Sequence, residues 1–190
     1  MLLKAGADPS VITTKGSSAL AEAVIQENLS LIKLLLRKGA QIHNTDNKHE
    51  LKSPFYCALH KQYIPAMELF CDHGAGPSAK GKNTTSLIYA AGNGYDEMAM
   101  YLSLRAADVN IDNVSGKNVF IIYMMKEDIE KCSMLLMRNA DINYVNRFGK
   151  TPLHIAVESH LSEKMVRFLL VQGADPFIRD KQGLNVCDKV

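Results

Sequence analysis

The amino-acid sequence predicts an all-α solenoid, in which helix-turn-helix units stack and hairpin loops project from one side. Two observations support this fold class. A phrase centred on Gly-Ala recurs along the whole chain, and its copies lie 32 to 35 residues apart. A second phrase, clearest as GKTPLHIAV at 149–157, alternates with the first. A unit of this length cannot bury its apolar faces alone, so neighbouring units must stack.

The spacing of the two phrases separates a rigid part of each unit from a variable one. The second phrase opens at Ser18, Ser53, Thr85, Asn118 and Thr151. In the first phrase, the residue immediately before the alanine is Gly6, Gly39, Gly74, Ala106, Asn139 or Gly173. An opening lies 21 or 22 residues before the next such position, whereas the connector that follows varies from 11 to 14 residues. This pattern is typical of helix pairs joined by loops.

The last complete unit shows why each helix forms. Thr151 can cap free backbone N–H groups, and Pro152 suits the first helical turn. An apolar face follows over 153–157, and a second helix is predicted near 162–171, where apolar residues recur at helical spacing. Gly173 ends it, as expected for a left-handed C-terminal cap.

These phrases resemble the ankyrin repeat, and the resemblance extends over the whole chain. It implies a single array over 1–190, made of five full repeats with a partial repeat at each end. The predicted boundaries are 1–14, 15–47, 48–81, 82–115, 116–148, 149–181 and 182–190. Neither end shows a repeat with a clearly polar outer face, which favours a piece of a longer array.

Composition excludes several classes of function. The 22 Lys and Arg nearly balance the 20 Asp and Glu, which gives no case for a nucleic-acid partner. No apolar run reaches 18 residues and no signal peptide opens the chain, so no membrane partner is expected. Four cysteines are too few for a disulfide scaffold. We therefore predict an intracellular, cytoplasmic protein, and a monomer because such arrays are commonly monomeric.

One arrangement of side chains could be mistaken for a metal site. Cys57, His60, Cys71 and His73 spell C-x2-H-x10-C-x-H, which resembles zinc-ligand spacing. The repeat register places these residues at different positions of the unit, so no metal is predicted. All four cysteines, which include Cys132 and Cys187, are expected to be small buried apolar residues. No phosphate loop, HExxH or GxSxG motif occurs, so neither enzymatic activity nor a cofactor is predicted.

Three polar residues have a role implied by the resemblance. The histidine of TPLH, His154, is expected to make structural hydrogen bonds between neighbouring units. Asn110 and Asn143 occupy a position that is enzymatically hydroxylated in some ankyrin proteins. Here that modification stays a hypothesis, because Ser10 and Phe177 stand at the same position of other repeats.

The resemblance also implies where partners bind: at the hairpin tips and the exposed ends of the first helices. We call this surface the hairpin face, and it is expected to be concave. Nine residues of it are predicted to contact a partner: Lys15, Lys52, Lys82, Lys117, Met125, Lys126, Arg147, Phe148 and Lys150. With Lys61 and Lys181, the face holds nine Lys and Arg against two Glu, a net charge of +7. Apolar anchors are expected at Ile25, Val114, Met125, Phe148 and Leu184.

The sequence thus predicts a scaffold or adaptor that binds a partner protein and performs no chemistry. Two interpretations of the basic face stay open: a partner with an acidic surface or segment, or solvated lysines without a charged ligand. One alternative function is the targeting module of a larger enzyme, such as a kinase, ubiquitin ligase or acyltransferase. Another is a spacing element with no defined ligand. The fourth unit is expected to be looser than the others, because Asn118-Val119 replaces Thr-Pro there, or to be adapted to a partner.

Overall fold

The computed structural model describes residues 8–43, 52–75, 85–105 and 107–189. Within them the chain forms ten α-helices and no β-strand, and a short 3-10 helix, Val186–Lys189, follows. An isolated antiparallel bridge joins Ile12 to Ser18 across one hairpin. The α-helices are α1 (Ala19–Ile25), α2 (Leu29–Arg37), α3 (Pro54–Lys61), α4 (Ile64–Asp72), α5 (Ser86–Gly92), α6 (Asp96–Leu104), α7 (Val119–Met125), α8 (Ile129–Leu136), α9 (Pro152–Glu158) and α10 (Glu163–Val171).

The helices are arranged as pairs that stack side by side. Each first helix packs on the second helix of its own pair, and the first helices also pack on one another along the chain, from α1 to α9. The largest fully buried side chains include Phe55, Phe70, Phe120 and Tyr123. The all-α solenoid predicted from the sequence is confirmed.

The first helices begin where the sequence predicts. At each opening position of the second phrase, a side-chain oxygen accepts a hydrogen bond from the backbone N–H three residues later. The nitrogen–oxygen distances run from 2.9 Å at Asn118 to 3.4 Å at Ser53. Such caps satisfy backbone groups that the helix itself leaves unpaired.

The hairpin turns between units share one hydrogen-bonding pattern. In the turn that precedes α9, the N–H of Asn146 donates to the carbonyl of Lys150 at 3.0 Å, and the N–H of Gly149 donates to the carbonyl of Asn146 at 2.8 Å. The same two bonds recur around Gly16, Gly116 and Gly183. Each of these turns is thus closed by the same pair of backbone hydrogen bonds.

His154 joins the fifth unit to the segment that follows it. Its side chain is buried, with Nδ1 2.8 Å from Oγ1 of Thr151 and Nε2 3.3 Å from the carbonyl oxygen of Leu184. The structural role predicted for this histidine is confirmed, since both ring nitrogens face protein atoms.

The fourth unit is expected to be loose because asparagine replaces threonine as the cap of its first helix. The structure shows that this expectation of a weak cap is wrong. Asn118 caps α7, and its cap bond is the shortest of the five. Asparagine is as good a capping residue as serine or threonine, since its amide oxygen accepts the same hydrogen bond. Most of α7 is buried, including Phe120 and Tyr123. The nitrogen of the same amide is less well placed, since Nδ2 of Asn118 is buried and has no hydrogen-bond partner in the described residues.

The unpaired amide nitrogen of Asn118 leads to a testable prediction about the stability of the chain. Replacing Asn118 by threonine keeps the cap oxygen and removes the buried NH2 group, so we expect the free energy of unfolding to rise by about 1 kcal/mol. Urea denaturation measures the change. Asn28, which caps α2 at an exposed position, is the control, and Asn28→Thr should shift stability by less than about 0.5 kcal/mol. A loss of stability in Asn118→Thr would contradict this account.

The cysteines are less uniformly buried than expected. Cys132 is fully buried, and burial raises the pKa of its thiol to about 12. Cys57 and Cys71 are only half-buried. The prediction is wrong for Cys187, which is exposed because the final 3-10 helix turns Val186 into the core instead.

Candidate partner-binding face

The structure places most of the predicted contact residues on the surface. The side chains of Lys15, Lys52, Lys126, Arg147 and Phe148 are exposed. Met125 is exposed to 36%, and Lys117 and Lys150 are half-buried. The remaining predicted contact residue, Lys82, lies outside the described residues.

The five predicted apolar anchors, Ile25, Val114, Met125, Phe148 and Leu184, are all exposed. Phe148 also packs on the neighbouring hairpin: a Cβ atom placed on Gly116 would lie 2.6 Å from its Cδ2 atom. The ring is still 50% exposed. Phe148 therefore covers the glycine of one hairpin tip and offers its other side to solvent.

A groove of about 560 Å³ opens between the third and fourth units. Its walls come from the C-terminal ends of α5 and α7 and from the hairpin turn that precedes α7. The lining includes Tyr89, Asn93, Val114, Lys117, Met125 and Lys126. We call it the central groove. It combines apolar walls, two cations and side-chain amides, the mixture typical of sites that bind peptides or small molecules.

One wall of the groove is held by an aromatic cluster. The ring of Tyr89 meets the rings of Tyr56, His60 and Tyr95, with centroids 5.8, 6.1 and 6.5 Å away. The hydroxyl of Tyr95 lies 3.0 Å from Nδ1 of His60 in the preceding unit. Burial raises the pKa of the Tyr89 hydroxyl above its usual value near 10. The cluster makes the wall rigid, because aromatic side chains in edge contacts have few alternative positions.

Three of the basic side chains connect one unit to the unit before it. The Nζ atoms of Lys52, Lys126 and Lys181 donate to backbone carbonyl oxygens of Lys15, Ala91 and Arg147, at 2.8, 2.7 and 2.7 Å. The partners lie 34 to 37 residues away along the chain. These lysines keep their charge near the surface while their ammonium groups hold the stack together.

Three others form ion pairs with carboxylates of the chain. Lys150 pairs with Glu158 at 2.5 Å, Lys61 with Glu27 at 4.0 Å, and Arg147 with Asp112 at 3.3 Å. Asp112 also accepts from the backbone N–H of Arg147, at 3.0 Å, and its side chain is only 10% exposed. The ion pair of Arg147 is therefore part of the hairpin packing.

Among the described residues of the face, this leaves Lys15 and Lys117 as cations whose ammonium groups make neither an ion pair nor a hydrogen bond with described residues. Lys117 lines the central groove. The hairpin face thus has fewer unpaired cations than the residue count suggests. The unpaired cation of the central groove, Lys117, lines it together with Val114 and Met125.

The two asparagines singled out for hydroxylation have a structural role. Asn110 donates from Nδ2 to the carbonyl of Asn139 at 3.0 Å and accepts from the N–H of Asp141 at 2.8 Å. Asn143 bonds to Gly173 and Asp175 in the same way. Each amide bridges its own unit to the next. Modification of either asparagine stays a hypothesis.

An acidic residue that joins two neighbouring units, Glu127, was not identified from the sequence. Glu127, exposed at the turn between α7 and α8, accepts hydrogen bonds from the backbone N–H and the hydroxyl of Ser162 in the next unit. These bonds lower the pKa of Glu127. The spacing of 35 residues from Glu127 to Ser162 is close to one repeat and is the signal that could have indicated the contact.

No group of three or more His, Cys, Asp or Glu side chains that could hold a metal ion occurs in the described part of the chain. Within the same residues, none of the helices has both the length and the apolar character needed to cross a membrane.

The stacked helix pairs, their hairpin turns and the open groove define a helical repeat protein. Comparisons with known proteins name its family. A family profile described as "Ankyrin repeats (3 copies)" matches residues 20–113 and 87–180. The chain belongs to the ankyrin repeat family, whose repeats generally mediate protein–protein interaction.

Individual relatives agree with this assignment. An ankyrin repeat protein of Rickettsia felis is 27% identical over 170 residues, which is 86% of this chain and 43% of that protein. The palmitoyltransferase ZDHHC13 of Pongo abelii is 29% identical over 191 residues, 98% of this chain and 30% of the relative. The crystal structure of the Bcl-3 ankyrin repeat domain is similar with a TM-score of 0.73 and 26% identity, covering 90% of this chain and 78% of that one. The chain spans less than half the length of both curated relatives.

Proposed function

We propose that this chain is an adaptor that binds a partner protein on its hairpin face, with the central groove as the contact centre. The observation that carries the proposal is the composition of the groove. Val114, 54% exposed, and Met125 offer apolar surface, and Lys117 stands beside them without an ion pair in the described residues. Partner contacts of this kind usually depend on a few apolar side chains surrounded by polar ones.

The fit favours an extended segment of the partner over a broad acidic surface. Most of the described basic residues of the face are occupied by carbonyl oxygens or carboxylates of the chain itself. A segment that places an apolar side chain against Met125 and a carboxylate near Lys117 matches what remains. Binding would then be only moderately sensitive to salt, because one or two exposed charge pairs contribute little. We further propose an intracellular setting, no catalytic activity, and a single array over the whole chain.

A second candidate function is the targeting module of a larger enzyme. The observation in its favour is that the matched part of the palmitoyltransferase makes up only 30% of that protein. The same groove would then bind the substrate protein, and the chemistry would lie elsewhere in the longer chain.

Affinity capture with matched baits tests the proposal. We expect Lys117→Glu combined with Met125→Glu to lose the proteins captured by the unchanged chain. The control is Lys33→Glu on α2, an exposed position outside the hairpin face, which should capture the same proteins as the unchanged chain. Thermal unfolding of all three baits checks that each is folded. Equal capture by the groove variant and the control would exclude the central groove as the contact centre.

A further inference from the structure

The outer surface of the second helices carries a row of exposed apolar side chains. Leu104, Met137 and Val171 each stand two residues before the position that ends the helix pair, in three consecutive units. Their exposed fractions are 65%, 83% and 75%. In the first two units the same position holds charged residues, Arg37 and Asp72. The position therefore accepts charge in this fold, and the apolar residues in the last three units are not needed for the core.

A second row lies one helical turn earlier. Tyr101, Met134 and Phe168 each precede a residue of the first row by three positions, which puts them on the same side of their helix. All three are half-buried. The two rows together form what we call the outer strip: Tyr101, Leu104, Met134, Met137, Phe168 and Val171. Exposed apolar side chains that recur at the same positions of three consecutive units differ from the singly scattered apolar residues of an ordinary surface and are typical of an interaction site.

The three helix ends that carry the strip are held in register. Asn110 ties the segment after α6 to the carbonyl of Asn139 just after α8, and Asn143 ties that segment to Gly173 just after α10. The strip is therefore a preformed row that presents one pair of apolar side chains in each of three consecutive units.

The strip also carries a positive charge that no described carboxylate compensates. Arg138 follows Met137 at the centre of the strip; its Nη1 donates to the carbonyl of Met134 at 2.8 Å. Among the described residues, its Nε has no hydrogen-bond partner and no carboxylate pairs with its guanidinium. The arginines on either side each have one carboxylate partner, Arg105 with Asp72 and Arg167 with Glu163.

We propose that the outer strip binds an amphipathic helix of a partner protein, with acidic residues beside its apolar face. Apolar side chains that recur every seven residues on one face of an α-helix would meet the three pairs of the strip in turn when the bound helix lies across α6, α8 and α10. A carboxylate at the edge of that helix would neutralise Arg138. This surface is separate from the central groove, so the chain holds two partners at once.

A synthetic peptide probes this surface directly. The peptide has three heptads with leucine at the first and fourth positions and glutamate at the flanking positions; a matched peptide carries lysine in place of glutamate. Fluorescence anisotropy with the full chain should show saturable binding of the glutamate peptide only. The double variant Met137→Asp/Val171→Asp should weaken it about tenfold or more, and Arg138→Gln severalfold. Since Asp72 occupies the same position in the second unit, the double variant should fold, and thermal unfolding checks this.

The control variant is Met125→Asp in the central groove, which should bind the glutamate peptide with unchanged affinity. Loss of peptide binding in this variant would place the peptide in the groove and overturn the proposal, while the proposed adaptor function would stand. The absence of saturable binding, or equal affinity for the lysine peptide, would also overturn it. The proposal is also overturned if sedimentation shows that the strip joins two copies of the chain and the double variant loses this association. Binding to phosphatidylcholine vesicles that is lost in the double variant would overturn it as well.

Discussion

Replacing Gly149 by alanine is expected to lower the free energy of unfolding by about 2–4 kcal/mol. Gly149 is buried in a hairpin turn at a φ of +81°, a conformation that side chains with a Cβ atom disfavour. A Cβ atom there would also lie 2.9 Å from the backbone nitrogen of Lys181 and 2.5 Å from its Cγ atom. The backbone contact cannot be relieved by a side-chain rotation, so neighbouring hairpins must separate. Urea denaturation measures the loss.

Gly183 provides a matched control for this prediction. It occupies the same position of the next hairpin turn at a φ of +79°, but apart from its two chain neighbours no described residue has an atom within 4 Å of the Cβ atom that alanine would add. Gly183→Ala should therefore show the backbone strain alone, about 1 kcal/mol. If both variants lose the same stability, the close packing of adjacent hairpins contributes nothing measurable.

The second large effect is expected at Tyr123. Its ring is fully buried, and the Nζ atoms of Lys126 and Lys131 lie over it at 5.3 and 5.5 Å from the centroid. Its hydroxyl donates to a carboxylate oxygen of Asp96 in the preceding unit at 3.0 Å. Tyr123→Ala should lower the free energy of unfolding by about 3–5 kcal/mol, and Tyr123→Phe by about 1–2 kcal/mol. Tyr63→Phe, which removes a hydroxyl bonded to the exposed carbonyl of Glu27, is the control and should cost less than either.

The same residue sets a pH dependence. Burial, and then the neighbouring Asp96, raise the pKa of the Tyr123 hydroxyl well above its usual value near 10. The unfolded chain therefore loses this proton at a pH where the folded chain still holds it. The contribution to stability is complete below about pH 10 and is lost above it, by up to about 1.4 kcal/mol per pH unit. Stability measured between about pH 9.5 and 11.5 should fall less steeply in Tyr123→Phe, and equal slopes would contradict this assignment.

Particular residues show how far sequence reasoning reached. The caps at Ser18, Ser53 and Thr151 and the buried role of His154 were predictable, because the repeat compares each position with its equivalents in other units. The exposure of Cys187 was not, because it depends on how the last turn packs. The register predicted the surface position of most of the described basic residues but not their ion pairs, because the pairing of Arg147 with Asp112 depends on contact between separate hairpins.

The sequence by itself determined the unit, its helix starts and ends and its order along the chain. These features depend on interactions a few residues apart, such as a cap oxygen and the N–H three positions later. Only the tertiary structure decided which charged and apolar side chains remain available to a partner. The ammonium groups of Lys52 and Lys126 donate to carbonyl oxygens about one repeat away, whereas that of Lys117 has no such partner among the described residues. The physical reason is that such pairings require stacking, which brings together residues that no local pattern relates.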